Sequence, residues 1–123
     1  MAAKRILIVD DEPSIVLSLE YLMKEAGYEV KTANDGNTAL QLIQSHLPDL
    51  VLLDVNLPQR NGYEICRAIR NEPAHRRIRI IMLTAKGSDI EREKGMSLGA
   101  DNYITKPFST QEVLDKVKAL LDA

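Results

Sequence analysis

Two apolar runs end abruptly on carboxylates: Ile6-Leu7-Ile8-Val9 stops at Asp10-Asp11, and Leu50-Val51-Leu52-Leu53 stops at Asp54. Unbroken runs of this kind mark strands buried on both faces, and they restrict the fold more than any other feature of the chain. After Pro13, a favourable first helical residue, apolar positions recur at Ile15, Leu19, Leu22 and Ala26, and Gly27 supplies the stop. Tyr28, Val30 and Thr32 alternate with Glu29 and Lys31, as at a sheet edge. A second helix follows with Leu40, Ile43 and Leu47 facing inward, and Pro48 and Asp49 punctuate the chain before the second apolar run.

The alternation continues, with a helix over 63–69, a strand over 80–83, a helix over 89–98 and a short strand over 102–104. A last helix turns Val113, Val117 and Leu120 inward, flanked by Leu114 and Leu121. Five strands alternating with five helices predict an α/β fold, a doubly wound parallel sheet covered on both faces, because each parallel crossover needs an intervening helix. Residues 1–123 are read as one domain, with neither an internal repeat nor a low-complexity segment.

The balance of charge narrows function by exclusion. A net charge of −2 calls for neither nucleic acid nor a membrane surface as partner. The basic cluster Arg76-Arg77-Ile78-Arg79 reads as a solvated loop and strand start. Cys66, the single cysteine, sits on an apolar helix stripe and is expected in the core; one cysteine rules out an internal disulfide and fits the cytoplasm. The start has no long apolar leader, and no stretch is long enough to span a bilayer. His46 and His75 are assigned no role.

Ligands of such sheets bind at the carboxyl ends of the strands, which would bring together Asp10, Asp11, Asp54, Thr84 and Lys106. Two unit charges about 4 Å apart repel by roughly 4 kcal/mol at an effective dielectric of 20, so three carboxylates in one small site call for a cation. An all-oxygen acidic site suits Mg²⁺, which keeps several waters and binds through one or two carboxylates plus phosphate oxygens. Lys106 would oppose the acids where charge on a transferring phosphoryl group needs stabilising, and Thr84 adds a hydroxyl donor.

Val9-Asp10-Asp11-Glu12, Asp54 with Leu57-Pro58 and Asn61-Gly62 behind it, Thr84-Ala85, and Tyr103-Ile104-Thr105-Lys106-Pro107-Phe108 together resemble the receiver domain of response regulators, over nearly the whole chain. The resemblance implies a flavodoxin-like sheet of order 2-1-3-4-5. It implies that Asp54 takes a phosphoryl group from the phosphohistidine of a histidine kinase or phosphotransfer protein, with Mg²⁺ held by Asp10, Asp11, Asp54 and the backbone carbonyl of Asn56. Lys106 would pair with one phosphoryl oxygen, Thr84 would swing its hydroxyl toward another, and Tyr103 would move from an exposed rotamer to a buried one. Asn56 and Lys86 would flank the path of the hydrolytic water, and a cis peptide would precede Pro107. The helix over 89–98, rich in Glu91, Arg92, Glu93 and Lys94, has little apolar face; with the fifth strand and fifth helix it would form the surface for a downstream protein target. A homodimer through the last two helices is left open, as is the choice between a stand-alone regulator and part of a longer one. Such a chain is a switch rather than a turnover enzyme.

Taken singly, these residues have plainer readings. Asp10, Asp11 and Glu12 can cap the following helix, Asp54 can be a loop residue, Thr84 a strand end and Tyr103 an edge-strand aromatic. Capping alone does not call for a lysine and a hydroxyl at two other strand ends. A haloacid-dehalogenase-like phosphatase would need a second aspartate where Asn56 stands. A flavin-phosphate module would need Gly, Ser or Thr donors where Asp10, Asp11 and Glu12 stand.

Overall fold

The structure, a computed structural model, describes residues 3–85 and 87–122. Five parallel strands, β1 (Arg5–Val9), β2 (Glu29–Ala33), β3 (Leu50–Asp54), β4 (Arg79–Ala85) and β5 (Asn102–Lys106), lie in the order β2-β1-β3-β4-β5. Between and after them run α1 (Pro13–Glu25), α2 (Gly36–His46), α3 (Gly62–Asn71), α4 (Asp89–Ser97) and α5 (Thr110–Leu121), with a single 3-10 turn at Pro73–His75. This is the flavodoxin-like, doubly wound arrangement that the alternation and the resemblance predict.

The pleat of the sheet sorts the core into two layers. Leu7, Val9, Val51, Leu53, Ile80 and Met82 pack with Ala39 and Ile43 of α2 and Ile65, Cys66 and Ile69 of α3. The alternate residues Ile6, Ile8, Leu50, Leu52, Ile81 and Leu83 pack with Leu19 and Met23 of α1 and Val113 and Val117 of α5. β2 pairs only with β1, and its burial alternates as an edge strand's should.

Two details of the helical faces depart from the spacing argument. Leu47, expected inward, is 53% exposed, because α2 ends at His46 and Leu47 takes a left-handed backbone with φ of 45° that turns its side chain out; Ala39 and Ile43 bury that face instead. Ala26 is exposed beyond the end of α1, and Met23, four residues after Leu19, takes the core position.

Candidate functional site

The register of the sheet carries Asp10 and Asp54 to adjacent strand ends, since Val9 lies opposite Leu53 in the β1–β3 pair. Asp54 lies opposite Leu83 of β4, and Ala85 opposite Lys106 of β5. The loop after β3 is pinned close by. Gly62 N–H donates to the Val55 carbonyl at 2.9 Å, and a Cβ at Gly62 would collide with the backbone of Asp54, so this approach requires glycine. An open cleft of about 570 Å³ lies here, lined by Asp11, Glu12, Asp54, Asn56, Ala85 and Lys106 among others.

Carboxylate oxygens of Asp10, Asp11 and Asp54 lie within 4.8 Å of one another. Asp10 is fully buried, Asp54 nearly so, and Asp11 exposed. Lys106 reaches in from the end of β5, its Nζ 2.8 Å from Asp10 Oδ2, 3.4 Å from Glu12 Oε1 and 3.5 Å from Asp54 Oδ1. Asp10 Oδ2 is a fully buried oxygen, and the Lys106 ammonium is its close charged neighbour. The other Asp10 oxygen, Oδ1, accepts from Glu12 N–H at 2.9 Å. Burial pushes the Asp54 carboxyl up to about 6 and the charge of Asp10 adds to this, while Lys106 and the Asn56 N–H pull it back. Burial pulls Lys106 down, yet Asp10, Asp54 and Glu12 outweigh it and hold the ammonium above the usual lysine range. A fully buried carboxylate oxygen, next to a second carboxylate whose charge is disfavoured and a third at the surface, fits a hard cation. Asp10, Asp11 and Asp54 are the residues that could hold it.

Other residues singled out in the sequence are placed less centrally. Thr84 is buried at the end of β4, and its hydroxyl donates to the Ile104 carbonyl of β5 at 3.5 Å instead of lining the cleft. Tyr103 is half-buried on β5, its ring flanked by Arg92 of α4 at 5.0 Å and Lys116 of α5 at 4.9 Å from the centroid. Asn56 is exposed at the cleft and donates its N–H to Asp54 Oδ1 at 3.4 Å. The Lys106–Pro107 peptide is cis, and Lys86 lies outside the described residues. Glu12 stands at the N-cap of α1 yet makes no side-chain capping bond. Sequence reading missed the contact of Glu12 with Lys106, and also that of Glu91, whose Oε1 accepts from Ala85 N–H at 2.9 Å. The spacing Ser88-x-x-Glu91, a capping pattern, was the available signal for the latter.

Residues 6–118 match the family model described as the response regulator receiver domain. A crystal structure from Chloroflexus aurantiacus, assigned to a response regulator, is 39% identical with a TM-score of 0.95, covering 99% of this chain and 100% of its own. A chemotaxis response regulator of Vibrio cholerae is 33% identical with a TM-score of 0.91, over 98% of this chain and 100% of its own. The receiver domain of a sensor histidine kinase from Pseudomonas aeruginosa, which has a magnesium ion coordinated in its active site cleft, is 31% identical with a TM-score of 0.90, over 99% of this chain and 100% of its own. With the family model covering nearly the whole chain and these structures agreeing in fold, the chain belongs to the response regulator receiver domains of two-component systems.

Proposed function

We propose that this chain is a phosphorylation-dependent switch whose phosphoacceptor is Asp54. The observation that carries the reading is the Lys106 ammonium held within 3.5 Å of both Asp10 and Asp54 at the mouth of an open cleft. A carboxylate oxygen of Asp54 attacks the phosphorus of a phosphohistidine on a histidine kinase or phosphotransfer protein. The O–P bond forms as the P–N bond breaks, and the electron pair leaves with the imidazole. Lys106 pairs with a phosphoryl oxygen, and Asp10, Asp11, Asp54 and the Asn56 carbonyl would hold Mg²⁺. Such an ion would supply positive charge for the oxygens of the transferred group, and the Pseudomonas relative has a magnesium ion coordinated in its active site cleft.

Thr84 and Tyr103 are the switch residues in this reading. The Thr84 hydroxyl leaves the Ile104 carbonyl for the phosphoryl group, and Tyr103 moves inward from between Arg92 and Lys116. The downstream protein is recognised by α4, β5 and α5. The chain is not a turnover enzyme, since each transfer modifies it until water removes the phosphoryl group. A cytoplasmic location accompanies the reading. Among the described residues no helix is long and apolar enough to cross a membrane.

The test is intact mass after incubation with Mg²⁺ and acetyl phosphate, for the wild type and for Asp54→Asn. A gain of one phosphoryl group that requires Mg²⁺ and disappears in the variant is the expected result. If the wild type gains no mass and does not bind beryllium fluoride either, the phosphoacceptor reading is overturned.

A further inference from the structure

The end of β4 carries a backbone donor that the sheet does not use. Val55 N–H donates to the Leu83 carbonyl at 3.4 Å, continuing the β3–β4 ladder one step past Asp54. In a parallel ladder the next rung would run from Ala85 N–H to the Val55 carbonyl. That carbonyl instead accepts from Gly62 N–H at 2.9 Å, because the chain has already turned toward α3. Ala85 N–H, on a residue that lines the Asp54 cleft, is taken by the Glu91 carboxylate of α4 at 2.9 Å.

Little else fixes the first turns of α4. Gly95 is its one buried residue, packed on Met82, and Ile90 is 79% exposed. The helix is tied to its neighbours by polar side chains: Glu91 to Ala85, Arg92 over the Tyr103 ring, and Lys94 over the Tyr63 ring at 4.4 Å. An anion arriving on Asp54 would compete with the Glu91 carboxylate for the same donor while repelling its charge.

We propose that Glu91 is a latch: its carboxylate holds the Ala85 N–H while Asp54 is unmodified, and a phosphoryl oxygen on Asp54 displaces it, freeing the N-terminal half of α4. This deepens the phosphoacceptor reading and rests on it. Glu91 is a positioning residue, acting through the Ala85 N–H.

The experiment is titration of the full chain with beryllium fluoride in Mg²⁺, following backbone amide resonances by NMR, for wild type, Glu91→Ala, Glu91→Gln and Ser88→Ala. Glu91→Ala is expected to bind the mimic roughly threefold to tenfold more tightly, the net value of one ordinary hydrogen bond no longer in competition. Its Ala85 amide should exchange faster than wild type before the mimic is added. Glu91→Gln, which keeps the acceptor without the charge, should fall between the two. Ser88→Ala weakens the cap of α4 but keeps the Glu91 carboxylate, so tighter binding there equal to that of Glu91→Ala would assign the effect to helix fraying and overturn the latch. Unchanged or weaker binding by Glu91→Ala overturns it as well. A wild type that binds no mimic at all overturns instead the phosphoacceptor reading on which the latch depends.

Discussion

Helix α3 buries Ile65, Cys66 and Ile69 against β3 and β4, whereas α4, on the same face of the sheet, buries Gly95 alone among its described residues. Both helices begin at the carboxyl edge where the acidic residues gather, yet they are secured differently. α3 is anchored by apolar area and by the Gly62 contact with β3, so the wall behind Asp54 is part of the core. α4 depends on single polar contacts that each exchange readily with water or with another charge. One edge of the sheet therefore combines a rigid floor for chemistry with a neighbour whose position a change of charge can alter.

Removing one apolar side chain from each helix puts the largest energy at stake. Ile65→Ala takes a fully buried side chain out of the α3 layer and is expected to lower the unfolding free energy by about 3 kcal/mol, through lost transfer energy plus the cavity left behind. Ile90→Ala on α4 should change it by less than about 0.5 kcal/mol. Urea unfolding of the two variants checks the pair. Similar costs for both would mean that α4 is held by packing after all, and the contrast would be lost.

The charge held against the α3 side provides the next test. The Asp54 carboxyl has its folded value near 6 against an ordinary 3.8, so the folded state binds that proton more tightly than the unfolded chain does. Stability of the metal-free protein should therefore fall as pH rises through the interval between these two values, and the loss is complete above it. Asp54→Asn removes this dependence. At pH 7.5 without divalent cations the variant should be more stable than wild type by on the order of 2 kcal/mol, and the gap should close near pH 3.5. Added Mg²⁺ should narrow the gap at pH 7.5 by stabilising the wild type through binding. Thermal melts across this pH range, with and without the ion, measure both effects; a gap that did not change with pH would remove the buried charge as its cause.

The parts of the molecule most legible in the sequence are those governed by periodicity. Unbroken apolar runs marked β1 and β3 as central strands, alternation marked β2 as an edge, and strand-end positions alone brought Asp10, Asp11, Asp54 and Lys106 together. Periodicity carries no information about where a helix ends, which is why Leu47 was expected inward: its left-handed backbone turned it out. Contacts between residues far apart were also hidden. Asp101 accepts from Ile80 N–H at 2.8 Å and from Arg70 Nη2 at 2.9 Å, tying α3 to the start of β4 and β5, yet no local pattern distinguishes it from a loop aspartate. The Glu91 contact was half legible, because Ser-x-x-Glu predicts a capping box but not that the glutamate passes over Ser88 to Ala85.

The smallest expected effect separates the two helices at their first residues. Asn61 caps α3 reciprocally: its side chain accepts from Glu64 N–H at 3.0 Å, and Glu64 Oε1 accepts from Asn61 N–H at 3.4 Å. Ser88 caps α4 on one side only, accepting from Glu91 N–H at 3.3 Å while the Glu91 carboxylate is engaged elsewhere. Loss of either cap costs its own helix about 1 kcal/mol. For α3, continuous with the core, that cost should appear in full as a lower global stability in Asn61→Ala. For α4, the first turns can open without disturbing the sheet, so Ser88→Ala should lower global stability by no more than about 0.5 kcal/mol. Its amides from Arg92 to Lys94 should instead exchange with solvent roughly fivefold faster, the rate equivalent of 1 kcal/mol acting on a local opening. Hydrogen exchange read residue by residue, beside urea unfolding of both variants, distinguishes these outcomes. If Ser88→Ala costs as much globally as Asn61→Ala and leaves those exchange rates unchanged, α4 unfolds only with the rest of the domain, and its position is set by the core rather than by its polar contacts.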